Sequence, residues 1–302
     1  MVGVEVNTNG MALVHLKNTS SALPCLHHCE FIRCDESSDR AALLAAKIQD
    51  LGLQKLPCRY VLGRGHYQFL LVEAPKVPAE ELNEALRWRI KDLLGFSVDK
   101  AVIDAFLLPG DSARAQKPMA YVAVVEESVI RQTMQIVADA HLELVSIDIP
   151  ELALRNLAVR GTNSERGLAV VHLIQGGGAL LVIRNKQVYL SRQFDLDYNG
   201  GLLDELPDEM LALELQRSFD YYERQMRQVA PADVVFLGEN ITSDKITEQL
   251  KENLSGNTAL LEVTSGLQLN ESIQSHLIPL CFLALGAALR DSVAMAVERG
   301  CE

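Results

Sequence analysis

The sequence has no cluster of basic residues. Its 302 residues carry 28 Lys and Arg against 40 Asp and Glu, a formal net charge of −12 at pH 7, and the basic side chains fall singly or in pairs. Gripping a phosphate backbone takes grouped cations that displace counterions, so nucleic acid is excluded as an expected partner. Long hydrophobic runs are missing too. The longest nearly pure apolar stretch, Leu277 to Leu289, has 13 residues. That is short of the roughly 18 a spanning helix needs, and it reads as a buried core helix. The opening residues MVGVEVNTNG show neither the basic nor the apolar region of a secretory signal. Six cysteines are too few for a disulfide scaffold, so reduced thiols and a cytoplasmic protein are expected. No Gly-x-Ser-x-Gly elbow, HExxH pair or Gly-Lys-Ser loop occurs, and no catalytic residue is assigned.

What is present is an ordinary globular composition, 48% hydrophobic and 23% charged, at a length that suits two domains. Strand-like runs at Val2–Val6, Met11–Leu16 and Leu23–Arg33 open the chain, with Asn7-Thr8-Asn9-Gly10 as turn chemistry between the first two. A capped helix follows over Arg40–Leu51, and later ones over Ala79–Leu94, Ser128–Ala140 and Asp208–Gln228. Strands at Cys58–Leu62, Gln68–Val72, Val102–Leu108, Met119–Val125 and Glu143–Ile149 alternate with them.

The second half echoes the first. Without a gap, Gly3 to Gly10 lies over Val170 to Gly177, and Leu13-Val14 falls on Leu180-Leu181. Each half thus begins with a hairpin plus a third strand, followed by alternating strands and helices. This predicts an α/β protein of two duplicated lobes, residues 1–160 and 161–302, divided at the small polar segment Gly161-Thr162-Asn163-Ser164. The cleft between such lobes is the expected ligand site.

Three other signals have plain readings. Cys25, His27, His28, Cys29 and Cys34 include zinc-ligand types, but alternation along a strand splits them between two faces, and no metal site is assigned. Gly63-Arg64-Gly65 is a turn. The acidic residues Asp195, Asp197, Asp204, Glu205, Asp208 and Glu209 suit the solvated approach to a helix N-terminus. Trp88 stands out: on the helix over 79–94, Leu82, Leu86, Ile90 and Leu93 form the apolar stripe, and the only tryptophan falls on the opposite side.

The paired strand–turn–strand units resemble the two phosphate loops of the actin-like (ribonuclease H-like) ATPase fold. The middle of the chain narrows the match. Ala74-Pro75-Lys76-Val77-Pro78-Ala79-Glu80-Glu81-Leu82, Ala85-Leu86-Arg87-Trp88, Gly95-Phe96 and Val102-Ile103-Asp104 resemble the PilM-like branch that serves pilus assembly. Gly200-Gly201, Arg217-Ser218-Phe219-Asp220-Tyr221-Tyr222 and Val235-Phe236-Leu237-Gly238 continue the likeness over nearly the whole chain. The short spacing between Gly201 and the long helix is most similar to the MshI branch, of the mannose-sensitive haemagglutinin pilus. The resemblance implies an actin-like fold with a small α+β insertion at about 75–118. It also implies a cytoplasmic adaptor on the inner-membrane platform of a type IV pilus, reaching the membrane only through partners. Its partners would be the cytoplasmic tail of a PilN-like bitopic protein and other platform components. The implied tail groove lies where Pro75–Leu108 meets the first sheet, with Leu86, Trp88 and Ile90 in its neighbourhood.

The resemblance also implies where ATP with Mg2+ would sit if the fold's nucleotide chemistry were kept: Glu5, Thr8, Gly176, Gly177, Gly178 and Gly238. Here the sequence departs from the family. The acidic position of the two loops is filled by Glu5 and His172, the lysine of the first loop by Ala12, and a glycine of the second by Ile174. Mg2+ prefers hard oxygen ligands and phosphate needs close backbone amides, so the expectation is an adaptor without useful hydrolysis, with an active ATPase as the alternative. Asp148 and Glu151 are the remaining carboxylates near the lobe connection.

Overall fold

The computed structural model describes residues 1–7, 9–17, 23–34, 39–109, 117–162, 164–254 and 256–290. The first lobe opens with the antiparallel strands β1 (Val2–Asn7), β2 (Gly10–Lys17) and β3 (Cys25–Arg33), followed by α1 (Arg40–Asp50) and β4 (Pro57–Val61). Asp39 starts α1 by accepting a hydrogen bond from the Ala42 amide at 3.0 Å, satisfying one of the helix's free N–H groups. β1 and β4 pair in parallel, and β1 is buried along nearly its whole length. Strands covered on both faces read as nearly continuous apolar runs, and in Val2–Val6 only Glu5 breaks the pattern.

Next comes a small subdomain: β5 (Tyr67–Glu73), α2 (Leu82–Ile90), β6 (Ala101–Leu107) and β7 (Met119–Glu126). Its three antiparallel strands lie in the order β5-β7-β6. It is larger than the insertion expected at about 75–118, because the flanking strands leave the main sheet and pair with each other. The helix expected over 79–94 is also shorter. Single 3-10 turns at Ala79–Glu81 and Lys91–Leu93 flank α2, and Leu93 stands 56% exposed instead of joining the apolar stripe.

The lobe closes with α3 (Glu127–Asp139), β8 (Glu143–Asp148) and α4 (Pro150–Gly161). The second lobe follows with β9 (Leu168–Ile174), β10 (Gly177–Arg184), β11 (Gln187–Asp195), α5 (Asp208–Arg224), β12 (Asp233–Gly238), α6 (Glu248–Glu252) and β13 (Asn257–Leu260). Its strand order, β11-β10-β9-β12-β13, repeats the β3-β2-β1-β4-β8 of the first lobe. The rungs coincide with the internal echo: Gly3 faces Val14 where Val170 faces Leu181, and Glu5 faces Ala12 where His172 faces Ala179.

A division at residue 160 does not hold for the last elements. β14 (Gln268–Leu269) pairs in parallel with β3 of the first lobe. A 3-10 stretch containing Pro279 then leads into α7 (Phe282–Ala288), every residue of which is buried. α7 packs between β1 and α4. Its last carbonyls, which a helix leaves unpaired, are taken by side chains: Arg59 donates to Ala287 O at 3.2 Å, Asn156 to Gly286 O at 3.1 Å and Arg160 to Leu289 O at 3.2 Å. The apolar run near the C-terminus is thus a core helix of the first lobe.

Candidate functional site

The β1–β2 and β9–β10 hairpins lie close enough together that Arg64 acts on both Glu5 of the first and His172 of the second. In the first, Asn7 Oδ1 accepts from the Asn9 and Gly10 amides at 3.0 and 3.1 Å, and Asn7 Nδ2 donates to Glu5 Oε1 at 3.1 Å. Two amides that an anion would need are satisfied by a side chain of the same turn. Thr8 lies outside the described residues.

In the second hairpin the turn is Gln175-Gly176, and Gly176 has φ +79°, a left-handed conformation that favours glycine. The chain after β11 folds over this turn. Gly176 N donates to Tyr198 O at 2.8 Å, and Leu196 N donates to Gly176 O at 3.1 Å. That covering segment is pinned in turn: Asn240 donates to Gly200 O at 2.9 Å, Lys245 to Gly201 O at 2.6 Å, and Gly201 N to Asp204 at 2.7 Å. Gly177 and Gly178 lie within β10. A Cβ on Gly177 would stand 2.3 Å from Phe194 O, and one on Gly178 would stand 2.7 Å from the Phe194 ring. Gly238 is likewise tight, its Cβ position 2.3 Å from Leu173 O. These glycines make room for the protein's own neighbouring strands.

Burial sets the charges of this region. Glu5 is buried and pushed up to about 7, a shift opposed by its Asn7 hydrogen bond and by Arg64. His172 is buried and held down at about 3, chiefly by loss of water and secondarily by Arg64, so it is neutral at pH 7. Its Nδ1 has no hydrogen-bond partner among the described residues. Asp148 is paired with Arg290. Glu151 is held by Tyr67 Oη at 2.8 Å and Gln193 Nε2 at 3.2 Å. The cleft thus offers one half-ionised carboxyl, a neutral imidazole and the half-buried Arg64, which sequence reasoning missed. The signal for it was available: Gly63-Arg64-Gly65 follows a parallel strand beside β1, where the strand order turns and open α/β sheets place their ligands.

The small subdomain presents two unlike faces. α2 covers one, where Leu82, Leu86 and Ile90 pack against Ala120, Val122 and Val124. Leu86 and Ile90 are therefore fully buried and unavailable to a partner; only Trp88, 63% exposed, meets solvent. The structure does not bring the three expected contact residues onto one surface, because the stripe that defines the helix is its inner face. The opposite face carries Phe69, Phe106 and Tyr121. Phe69 stacks on Tyr121 with centroids 4.5 Å apart, and Phe106 lies 5.8 Å from Tyr121. Phe69, Leu71, Phe106 and Leu108 are only partly buried against the main core. Tyr121 Oη accepts from the Ser191 amide of β11 at 2.8 Å, tying this face to the second lobe. A cavity of about 300 Å³ lies at that junction, lined by Tyr67, Phe69, Glu151, Ser191 and Gln193.

Among the described residues no group of three His, Cys, Asp or Glu side chains could hold a metal ion, and no helix is long and apolar enough to cross a membrane.

No protein-family model and no curated protein sequence matches the chain. Solved structures do. One, described as a PilM–PilN type IV pilus biogenesis complex, superposes with a TM-score of 0.72 at 20% identity, covering 95% of this chain and 97% of the other. Another is the cytoplasmic domain of EpsL, an inner-membrane component of the type II secretion system of Vibrio cholerae. It gives a TM-score of 0.53 at 11% identity, over 96% of this chain and 95% of that one. The fold is the actin-like one, built from two duplicated α/β lobes with a small subdomain in the first.

Proposed function

We propose that this chain is a cytoplasmic adaptor of a type IV pilus assembly platform, of the mannose-sensitive haemagglutinin type. In this reading it holds the cytoplasmic tail of a PilN-like bitopic protein and lies at the inner membrane through such partners, without turning over nucleotide. The observation that carries the reading is the half-buried pair Phe69 and Phe106, backed by the buried ring of Tyr121 and set between the small subdomain and the body of the protein. An extended tail laid there drops alternate apolar side chains against the rings, and β5, an edge strand of its sheet among the described residues, supplies backbone partners. Likeness in fold to a PilM–PilN complex supports the same role.

The non-catalytic half of the proposal rests on the donor set. Magnesium takes oxygen ligands, yet His172 fills one of the two acidic positions and Glu5 at the other is half neutral near pH 7. The Asn9, Gly10 and Gly176 amides are spent on the protein's own oxygens. These residues do not fit a magnesium triphosphate, and no phosphoryl-transfer step is assigned to them.

Calorimetry tests both halves. A synthetic PilN-like tail peptide binds the wild type, and Phe106→Ala weakens it about tenfold, the loss expected for a buried aromatic anchor. Mg-ATP at millimolar concentration gives no heat. Micromolar Mg-ATP binding would replace this reading with an active nucleotide-binding protein, and an inert tail peptide would remove the adaptor role.

A further inference from the structure

On the far side of the first lobe from the hairpin turns, the Lys17 end of β2 and the start of β3 frame a second cavity, of about 650 Å³. One wall is polar, made by His15, Lys17, His27 and His28; another is apolar, from Leu51, Leu53 and Leu56. The histidines converge because of a β-bulge. β2 and β3 pair His15 with His28 but Leu16 with Leu26, leaving His27 as the extra residue. In a regular strand His27 and His28 would point to opposite faces; the bulge re-aims one, so both line the same cavity. The His15 and His27 rings meet edge to face with centroids 5.6 Å apart, and Lys17 Nζ lies 3.0 Å from His27 Nε2.

The charge around this cavity is one-sided. The Met1 nitrogen, on β1's end, donates to Leu16 O at 2.9 Å. The carboxylate of Glu30 on β3 sits 3.1 Å from His28 Nε2 but is also engaged by Lys47 of α1 at 2.9 Å. Three imidazoles and Lys17 therefore face a cavity whose described lining holds no Asp or Glu, in a protein whose net charge is −12. His15, which is buried, is pushed down to about 4 by burial and by the cationic groups beside it. A lysine ammonium and three polar imidazoles facing an apolar wall suit an anion with an apolar body.

We propose that this cavity binds a phosphate ester carrying an apolar or glyceryl group, its phosphate held by Lys17, His15 and His27 and its body against Leu51, Leu53 and Leu56. Charge-assisted contacts of this kind are the strong hydrogen bonds of an anion site. A soluble ester and a phospholipid headgroup share this chemistry.

The test uses the full chain with glycerol 3-phosphate in calorimetry, and with phosphatidylglycerol or phosphatidylcholine vesicles in co-flotation. Binding of the soluble ester, weakened about tenfold by Lys17→Ala and by His27→Gln, assigns a soluble ligand. Flotation with phosphatidylglycerol but not phosphatidylcholine, lost in the same variants, assigns the lipid. Either ligand raises the His15 titration, followed by NMR, toward the ordinary imidazole range. Lys17 is exposed and His27 partly so, and both variants keep the wild-type melting temperature. Failure of both probes to bind, equal binding by both variants, or equal flotation with phosphatidylcholine overturns the proposal.

Discussion

Gly3 lies against the carbonyl of Ala284 so closely that a Cβ on Gly3 would stand 2.0 Å from that oxygen. The contact seats α7, the chain's last described helix, on the first strand, and Gly286 makes the matching approach to Ala153 O on α4, at 2.1 Å. Backbone cannot yield as a flexible side-chain tip can, so Gly3→Ala and Gly286→Ala must each shift the helix. Overpacking of this kind costs about 1–3 kcal/mol or more. Gly95→Ala meets nothing within 4 Å and serves as the control. Urea unfolding should show loss of stability for the first two and none for the third. A neutral Gly3→Ala would mean that α7 is not seated on β1.

The same end of α7 carries a buried ion pair. Arg290 donates to Asp148, which is 3% exposed. Burial raises the Asp148 pKa, and Arg290 followed by Arg59 opposes that shift. Arg290→Met leaves a buried carboxylate short of a partner, at a cost of about 3 kcal/mol. Asp148→Asn together with Arg290→Met removes both charges and should recover part of that loss. Chemical denaturation of the two singles and the double measures the coupling; strict additivity would show that the pair contributes nothing.

Stability should depend on pH through Glu5 and His172 in opposite senses. The Glu5 carboxyl is raised from 4.5 to about 7 on folding, so the native state holds a proton that the unfolded state releases. Its contribution is present below about pH 4.5 and is lost as pH rises through about 7. His172 is lowered from 6.5 to about 3, so the unfolded state takes up the proton first, and stability falls as pH drops from about 6.5 toward 3. His15, lowered to about 4, adds to that acid limb. Glu5→Gln should therefore flatten the decline between about pH 4.5 and 7, and His172→Asn should soften the acid limb. Thermal melts across this range check both. A Glu5→Gln curve parallel to wild type would show that Glu5 is not buried in the folded protein.

Much of the fold was legible because the signals were local or repeated. The ungapped echo from Gly3 to Gly10 matched the rungs of both hairpins, since strand register carries the hydrophobic pattern with it. Two kinds of feature escaped. One was long-range destination: nothing local in Gln268–Leu269 or Phe282–Ala288 tells that they return to the first lobe, because a buried apolar segment suits either core. The other was partner choice for glycine. Gly177, Gly178 and Gly238 read as a phosphate cradle, yet Phe194 and Leu173 occupy the space a Cβ would take. Composition reports that room is needed, not what fills it. Leu86 and Ile90 failed as contact residues for a related reason: the pattern that identifies a helix marks its buried side.

Trp88 offers a direct reading of which face of the small subdomain meets the partner. It is the chain's single tryptophan and is 63% exposed on α2, whereas Phe69 and Phe106 lie on the opposite face of the sheet. Free protein should emit as a solvated indole and be readily quenched by acrylamide. If the tail occupies the aromatic face, saturating peptide leaves both properties unchanged, and Trp88→Ala binds as wild type. Burial of a Trp in a desolvated interface would shift emission to the blue, protect it from quencher, and make its removal costly by about 2 kcal/mol or more. That outcome would move the docking site onto α2 and discard Phe106 as its anchor.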